Sequence, residues 1–303
     1  MLNNNYHKIN NIMLFFFRYT KYIMTEDLKR YYLKNIPSSC TILVVGGRKT
    51  GKTVIIKNIL YNKYKTTRIV SLVSATAQSN NDFKNIVPDL NIYEDYNTNV
   101  NAILIADQFS LKQKIASKTV AENVKKDAIV VFDDIIGTNS KWMTDDIFKK
   151  MIFSGRHAYI TNIISVQSPK FLPSNYRDNI DFILITNIST QAKRKFFWEN
   201  FYNHDFGDLK VFNNYFNIIK KKNVHNFMLL STKSTDSLQD YMYWGRCPDP
   251  KYYKPKRIGL KYLWDLNDNY FNEEYLSASV AQNLEKYKNE LFLEKPPNIK
   301  LIE

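Results

Sequence analysis

Thr41-Ile42-Leu43-Val44-Val45-Gly46-Gly47-Arg48-Lys49-Thr50-Gly51-Lys52-Thr53-Val54 is the stretch whose reading decides the fold. An apolar run of strand length ends at Gly46, and Gly46 to Thr53 then follow the spacing G-x-x-x-x-G-K-[ST]. A helix over Lys52–Asn62 is expected directly behind it, which is the context a phosphate-binding loop requires. Glycines at 46 and 51 let the backbone turn tightly and aim N–H groups inward, and the helix N-terminus adds partial positive charge. Gly46, Gly47, Arg48, Lys49, Thr50, Gly51, Lys52, Thr53 and Val54 are therefore the expected nucleotide-binding residues. Lys52 is read as the lysine that reaches the β- and γ-phosphates, facing solvent until phosphate arrives. Thr53 is read as a hydroxyl ligand of Mg²⁺. Only eight glycines occur in the chain and three lie in this loop, so the match does not come from a glycine-rich composition.

Outward from the loop, short apolar runs alternate with longer helical stretches, the order of an α/β fold on a mostly parallel sheet. The runs are Thr41–Val45, Arg68–Val73, Ala128–Phe132, Ile160–Val166 and Asp181–Thr186. Their continuity, in place of strict alternation, marks strands buried on both faces. Helices are expected near 51–63, 99–122, 143–153, 190–204 and 208–222, followed by a hairpin of His225–Ser231 with Gln239–Gly245. Residues 1–37 read as an N-terminal extension, 38–248 as the ATPase domain and 249–303 as a C-terminal appendage with a charged helix over Ser277–Phe292. Met24-Thr25-Glu26-Asp27 reads as a more ordinary start than Met1.

Ala128-Ile129-Val130-Val131-Phe132-Asp133-Asp134 is an apolar strand that ends in two carboxylates. Buried charge needs compensation, and Mg²⁺ beside the phosphate loop supplies it. Asp133 is assigned to the metal and Asp134 to the attacking water; the plainer reading makes both the start of a turn. Asp133 lies 81 residues after Lys52 with at least one strand between them. That spacing favours P-loop ATPases with an additional strand between phosphate strand and acidic strand. In such enzymes the next strand ends in a polar residue that senses the γ-phosphate, here Gln167, which alone would also read as a loop-starting amide. Two arginines, Arg156 in Gly155-Arg156-His157 and Arg177 in Arg177-Asp178-Asn179, are candidates for a finger reaching a neighbouring subunit's nucleotide. Arg156 is expected at the nucleotide end of the sheet.

The phosphate loop, Ile129–Asp134, Gly155-Arg156-His157, Ile163-Ile164-Ser165-Val166-Gln167, Leu172-Pro173 and Arg177-Asp178-Asn179-Ile180 together resemble the poxvirus-type DNA-packaging ATPases of large DNA viruses, within the FtsK/HerA superfamily. The resemblance covers about residues 38–248. It implies a RecA-like sheet, a homo-oligomeric ring, ATP and Mg²⁺ as cofactors, double-stranded DNA as partner, and a capsid or portal-vertex protein that receives it. The implied setting is the host cytoplasm at viral assembly sites. Asp134 stands where much of the wider superfamily has Glu; the packaging branch uses Asp. Two alternatives stay open: a DNA-translocating or DNA-processing ATPase not dedicated to packaging, and a nucleotide-bound structural assembly protein.

Composition constrains partners less. The net charge of +14, from 43 Lys and Arg against 29 Asp and Glu, favours a polyanion. An A+T-rich coding bias toward Asn, Lys, Tyr and Ile would produce the same excess. Lys193-Arg194-Lys195 and Lys220-Lys221-Lys222 are candidate DNA contacts or solvated helix faces. Cys40 and Cys247 form neither a metal spacing nor a disulfide framework. Ile12–Phe17 is too short to span a bilayer, so stable membrane insertion is not expected.

Overall fold

The computed structural model describes residues 28–76, 81–121, 123–134, 140–168, 170, 172–223, 225–232, 235, 237–247 and 256–271. Ile12–Phe17 and Ser277–Phe292 lie outside the described residues. The strands are β1 (Thr41–Val45), β2 (Thr67–Ser74), β3 (Ile92–Tyr93), β4 (Asp127–Asp133), β5 (Ile160–Val166), β6 (Phe182–Ile185), β7 (Asn226–Ser231) and β8 (Met242–Arg246). They form one eight-stranded sheet in the order β3-β2-β4-β5-β1-β6-β7-β8. Pairing is parallel from β3 to β6 and antiparallel from β6 through β8. β5 thus lies between the phosphate strand β1 and the acidic strand β4, the additional-strand arrangement that the spacing of Lys52 and Asp133 implies. The fold is that of a RecA-like P-loop ATPase.

Apolar residues on successive positions of β1, β4 and β5 point alternately to two cores. Leu43, Val130, Phe132 and Ile164 join one core with residues of α2 (Thr98–Ala116), α3 (Asp146–Ser154), α5 (Gln191–Phe201) and α6 (Leu209–Lys222). Ile42, Val44, Ile129 and Val131 join the other with Ile55, Ile56, Ile59 and Leu60 of α1 (Lys52–Lys63). Both faces of the sheet are covered, which is why these strands read as unbroken apolar runs.

Side-chain caps set several helix starts. Asn97 Oδ1 accepts from the Val100 amide, Asp145 Oδ1 from Phe148, and Asp208 Oδ1 from Lys210 and Val211. Between them lies the short α4 (Ser174–Arg177). The expected helix over 99–122 stops at Ala116, because Lys118 takes a left-handed φ of 56° and the Thr119 amide bonds back five residues to Lys114 O. The second strand of the expected hairpin starts late, since residues 238–241 form one helical turn, α7 (Leu238–Tyr241), before β8 begins. Tyr241 there donates its hydroxyl to Phe201 O.

The chain ahead of β1 packs on the sheet. Leu33 and Ile36 are buried in the second core, and the Tyr31 amide donates to Trp244 O at 2.8 Å. After β8, Ile258 is buried in the same core, and α8 (Lys261–Tyr270) places the Trp264 indole N–H 3.0 Å from Ile258 O. Leu33→Ala and Ile36→Ala should each cost about 2–4 kcal/mol by the usual penalty for emptying a core position. The midpoint of denaturant unfolding measures this; a loss under about 0.5 kcal/mol for both would mean the segment is not part of the cooperative core.

Candidate active site

The loop after β1 is held by contacts that leave no room for side chains at its first residue. A Cβ on Gly46 would stand 1.8 Å from Thr186 Oγ1 and 2.5 Å from Thr50 Oγ1. Those two hydroxyls are 2.7 Å apart, and Thr50 also donates to Gly47 O at 2.8 Å. The Gly46 amide donates to Val166 O and the Gly47 amide to Asn187 O, so the loop is pinned to the ends of both neighbouring strands. Lys49 and Gly51 have left-handed φ values of 58° and 97°. Such turns make an anion-binding concavity of the backbone, and it opens at the start of α1.

Lys52 does not face solvent as expected. Its side chain lies back in the loop, with Nζ donating to Gly46 O at 3.0 Å and Gly47 O at 3.2 Å, and the residue is only 8% exposed. Carbonyls that the tight turn directs inward attract the ammonium. Burial pulls its pKa below the ordinary lysine value; Asp134 and Asp133 oppose that shift, while Arg48 and Lys193 reinforce it.

β4 delivers the two carboxylates to the same cavity. Phe132 packs against Phe148, with ring centroids 5.2 Å apart, and against Trp142, fixing the strand end just ahead of Asp133. Asp133 is buried, and burial lifts its pKa above the ordinary carboxylate value. The Ser165 hydroxyl and Lys52 oppose this, and Asp134 and Asp82 add to it. Asp134 turns out of the strand with a left-handed φ of 54°, a conformation Asp and Asn tolerate better than most residues. Gln167 Nε2 donates to Asp134 Oδ2 at 2.7 Å. The loop residues 48–54, Asp133 and Asp134 line one cavity of about 930 Å³.

The family model described as "Poxvirus A32 protein" matches residues 27–200. The chain belongs to the poxvirus A32 protein family. Among curated relatives, protein L437 of Acanthamoeba polyphaga mimivirus is 24% identical over 251 residues, 82% of this chain and 86% of that protein. Protein 015R of Frog virus 3 is 25% identical over 221 residues, 69% of this chain and 62% of its own. Among solved structures, B204, the DNA-packaging ATPase from Sulfolobus turreted icosahedral virus, is similar at TM-score 0.44 and 15% identity, covering 70% of this chain and 98% of B204. The pCW3 conjugation coupling protein TcpA is similar at TM-score 0.49 and 16% identity, covering 75% of this chain and 65% of TcpA.

The two candidate fingers of this A32-family chain stand elsewhere. Arg156 precedes a parallel strand and so lies at the amino ends of the strands, not at the nucleotide end as expected. Its guanidinium is 3.3 Å from Asp181 Oδ1 and 3.4 Å from Asn179 Oδ1, and Asp181 Oδ2 accepts from the Thr41 amide at the start of β1. At about 3.3 Å per residue, the length of β1 separates that point from the loop by roughly 16 Å. Arg177 donates to Leu172 O and Asn200 Oδ1 and lies over the Phe196 ring. Neither arginine lines the cavity of its own subunit.

Sequence reading missed Thr186, Asn187, Lys220 and His225. Thr186 ends a strand, as Gln167 does, and that polar ending was its only signal. Lys220 and His225 come from the far side of the sheet and join the cavity wall only through folding. Of the two basic clusters, Arg194 is used internally, bonded to Ile188 O and Asn217 Oδ1 and set over Phe216.

A raised pKa at Asp133 has a definite sign for stability. The folded state holds that proton more tightly than the unfolded chain, so the contribution is present at low pH and lost as pH rises through the folded-state value. At neutral pH the buried carboxylate works against folding. Asp133→Asn should therefore raise the Tm of the nucleotide-free protein near pH 7, by roughly 2–4 °C for each kcal/mol, with the gain shrinking toward pH 4. Calorimetric scans across that range check it; a lower Tm for the variant at pH 7 would contradict the account.

Proposed function

We propose that this chain is an ATP-hydrolysing motor that translocates double-stranded viral DNA into a capsid during virion assembly. The observation that carries the catalytic part is the hydrogen bond from Gln167 to Asp134, whose carboxylate lines the phosphate-loop cavity. It joins a polar strand end to a carboxylate beside a buried lysine, the set of groups needed to position and deprotonate a water. The packaging task is supported by family membership and by the chain's net charge of +14.

In this reading Lys52 exchanges its loop carbonyls for phosphate oxygens and offsets charge that builds up during transfer. Asp134 accepts the proton of the attacking water as its oxygen bonds to the γ-phosphorus and the bond to ADP breaks. Gln167 orients Asp134 and that water. The donor set fits Mg²⁺, which binds through one or two carboxylates plus substrate phosphates and keeps several waters. Asp133 is a buried carboxylate whose pKa burial raises even with Lys52 beside it, and Thr53 lines the same cavity. Those two residues would hold the ion, which when bound neutralises charge on phosphate oxygens.

Arg156 is the proposed trans finger: its place at the amino ends of the strands keeps it from its own subunit's loop and leaves a neighbour's ATP as its only nucleotide target. That assignment requires a ring of copies. Double-stranded DNA in the ring, a capsid or portal-vertex partner, and activity in the host cytoplasm at assembly sites complete the proposal.

ATPase rate, measured with and without double-stranded DNA, tests the whole. Asp134→Asn, which keeps the left-handed backbone and the acceptor for Gln167, should still bind ATP while turnover falls about 10²–10⁴-fold. Normal turnover in that variant would remove Asp134 from the mechanism. Arg156→Ala and Lys52→Ala should each be inactive alone, yet a mixture should recover part of the activity. There an intact finger from one subunit meets an intact phosphate loop from the other. Rings that assemble from the mixture and stay inactive would mean that Arg156 serves only its pairing with Asp181.

A further inference from the structure

The antiparallel direction of β7 brings a second lysine to the nucleotide cavity. Ile185, at the carboxyl end of β6, pairs with Met228, so the beginning of β7 and the end of α6 sit at the level of the phosphate loop. There Lys220, on the last turn of α6, lines the cavity with Arg48, Asn187 and His225. Lys220 Nζ donates to Asn226 O at 2.9 Å, and Asn226 Nδ2 donates to Ile219 O at 2.9 Å. These bonds tie the end of α6 to the start of β7 and hold the ammonium at the cavity wall. Burial lowers its pKa below the ordinary lysine value.

The strand order decides which part of a nucleotide it meets. Asp134 and Gln167 end strands on one side of β1, the side of β4 and β5, whereas Lys220 arrives from the other side, across β6 and β7. The transferred phosphate must lie by Asp134 and Gln167. Lys220, on the opposite side of the loop from those groups, is placed to meet the part of a nucleotide that leads away from them.

We propose that Lys220 is a nucleotide-binding residue that contacts the phosphates left behind in hydrolysis, those common to ATP and ADP. The proposal deepens the ATPase reading and rests on it. It also separates Lys220 from its exposed neighbour Lys221, although the two are adjacent in one basic cluster. Lys220 acts chiefly by binding, so its loss costs the chemical step far less than loss of Lys52.

Titration of the full chain with ADP and with the β,γ-imido analogue of ATP tests this, alongside kcat and affinity for double-stranded DNA. Lys220→Met, which keeps the apolar stem, should weaken both nucleotides by about tenfold or more, as for loss of a charge-assisted hydrogen bond. Its kcat at saturating ATP should fall far less than that of Lys52→Ala, since most of what is lost is binding common to substrate and transition state. Lys220→Arg should recover part of the affinity, and Lys221→Met should bind nucleotide as the parent does. Circular dichroism at the titration temperature confirms that each variant is folded. Unchanged affinity for both nucleotides in folded Lys220→Met overturns the proposal. So does a loss confined to the ATP analogue, or a loss of DNA affinity alone. A parent chain that binds neither nucleotide would instead defeat the ATPase reading itself.

Discussion

The contact on which the site depends is the one between the Thr50 and Thr186 hydroxyls, 2.7 Å apart over a glycine with no Cβ. It fastens the loop to the end of β6, while the Gly46 amide fastens it to the end of β5. With both neighbours of β1 holding it, the loop keeps its inward carbonyls and its left-handed residues. Lys52 then has one place to go, against the carbonyls of Gly46 and Gly47. An ammonium and two carboxylates in so little solvent interact more strongly than they would in water. Lys52 and Asp133 also bear a desolvation cost that a bound phosphate or metal offsets. The site is tuned for a ligand at some expense to the empty fold, a common relation between stability and activity.

The sheet distributes the chemistry by strand order. β4 and β5 bring Asp133, Asp134 and Gln167 to one side of the loop, and β6 and β7 bring Thr186, Asn187 and the end of α6 to the other. The reversal of direction at β7 matters, because only an antiparallel strand can present its beginning where parallel strands present their ends. Arg156 illustrates the converse. It precedes a parallel strand, so it is carried to the amino ends, where Asp181 and Asn179 receive it. A group there stands the length of β1 away from the phosphate loop of its own chain.

Much of this was legible in the sequence because local patterns suffice for it. Continuous apolar runs bounded by turns located β1 and β5 to the residue, since burial on both faces leaves no other composition available. Gly46 to Thr53 specified a phosphate loop, since its glycine spacing is a backbone requirement. Asp133 and Asp134 were legible because charge at the end of a buried strand demands a partner. The end of α2 was not legible: nothing in the residues around 117 forbids helix, and the stop comes from the left-handed Lys118 and the bond from the Thr119 amide back to Lys114 O. The start of β8 was displaced for a similar reason, Tyr241 being held by Phe201 from another element.

What the sequence determined by itself was the fold class and the nature of the chemistry, a phosphate loop with an acidic strand and a strand-ending glutamine. Those depend on periodicity and on short-range backbone demands, both of which are written in neighbouring residues. Tertiary structure alone decided that Lys52 lies inward, that Gln167 bonds to Asp134, that Arg156 is at the far end of the sheet, and that Lys220 joins the nucleotide cavity. Each of these depends on strand direction or on contacts between residues distant in the chain, and side-chain environment at such distances is set by packing, which no local pattern encodes.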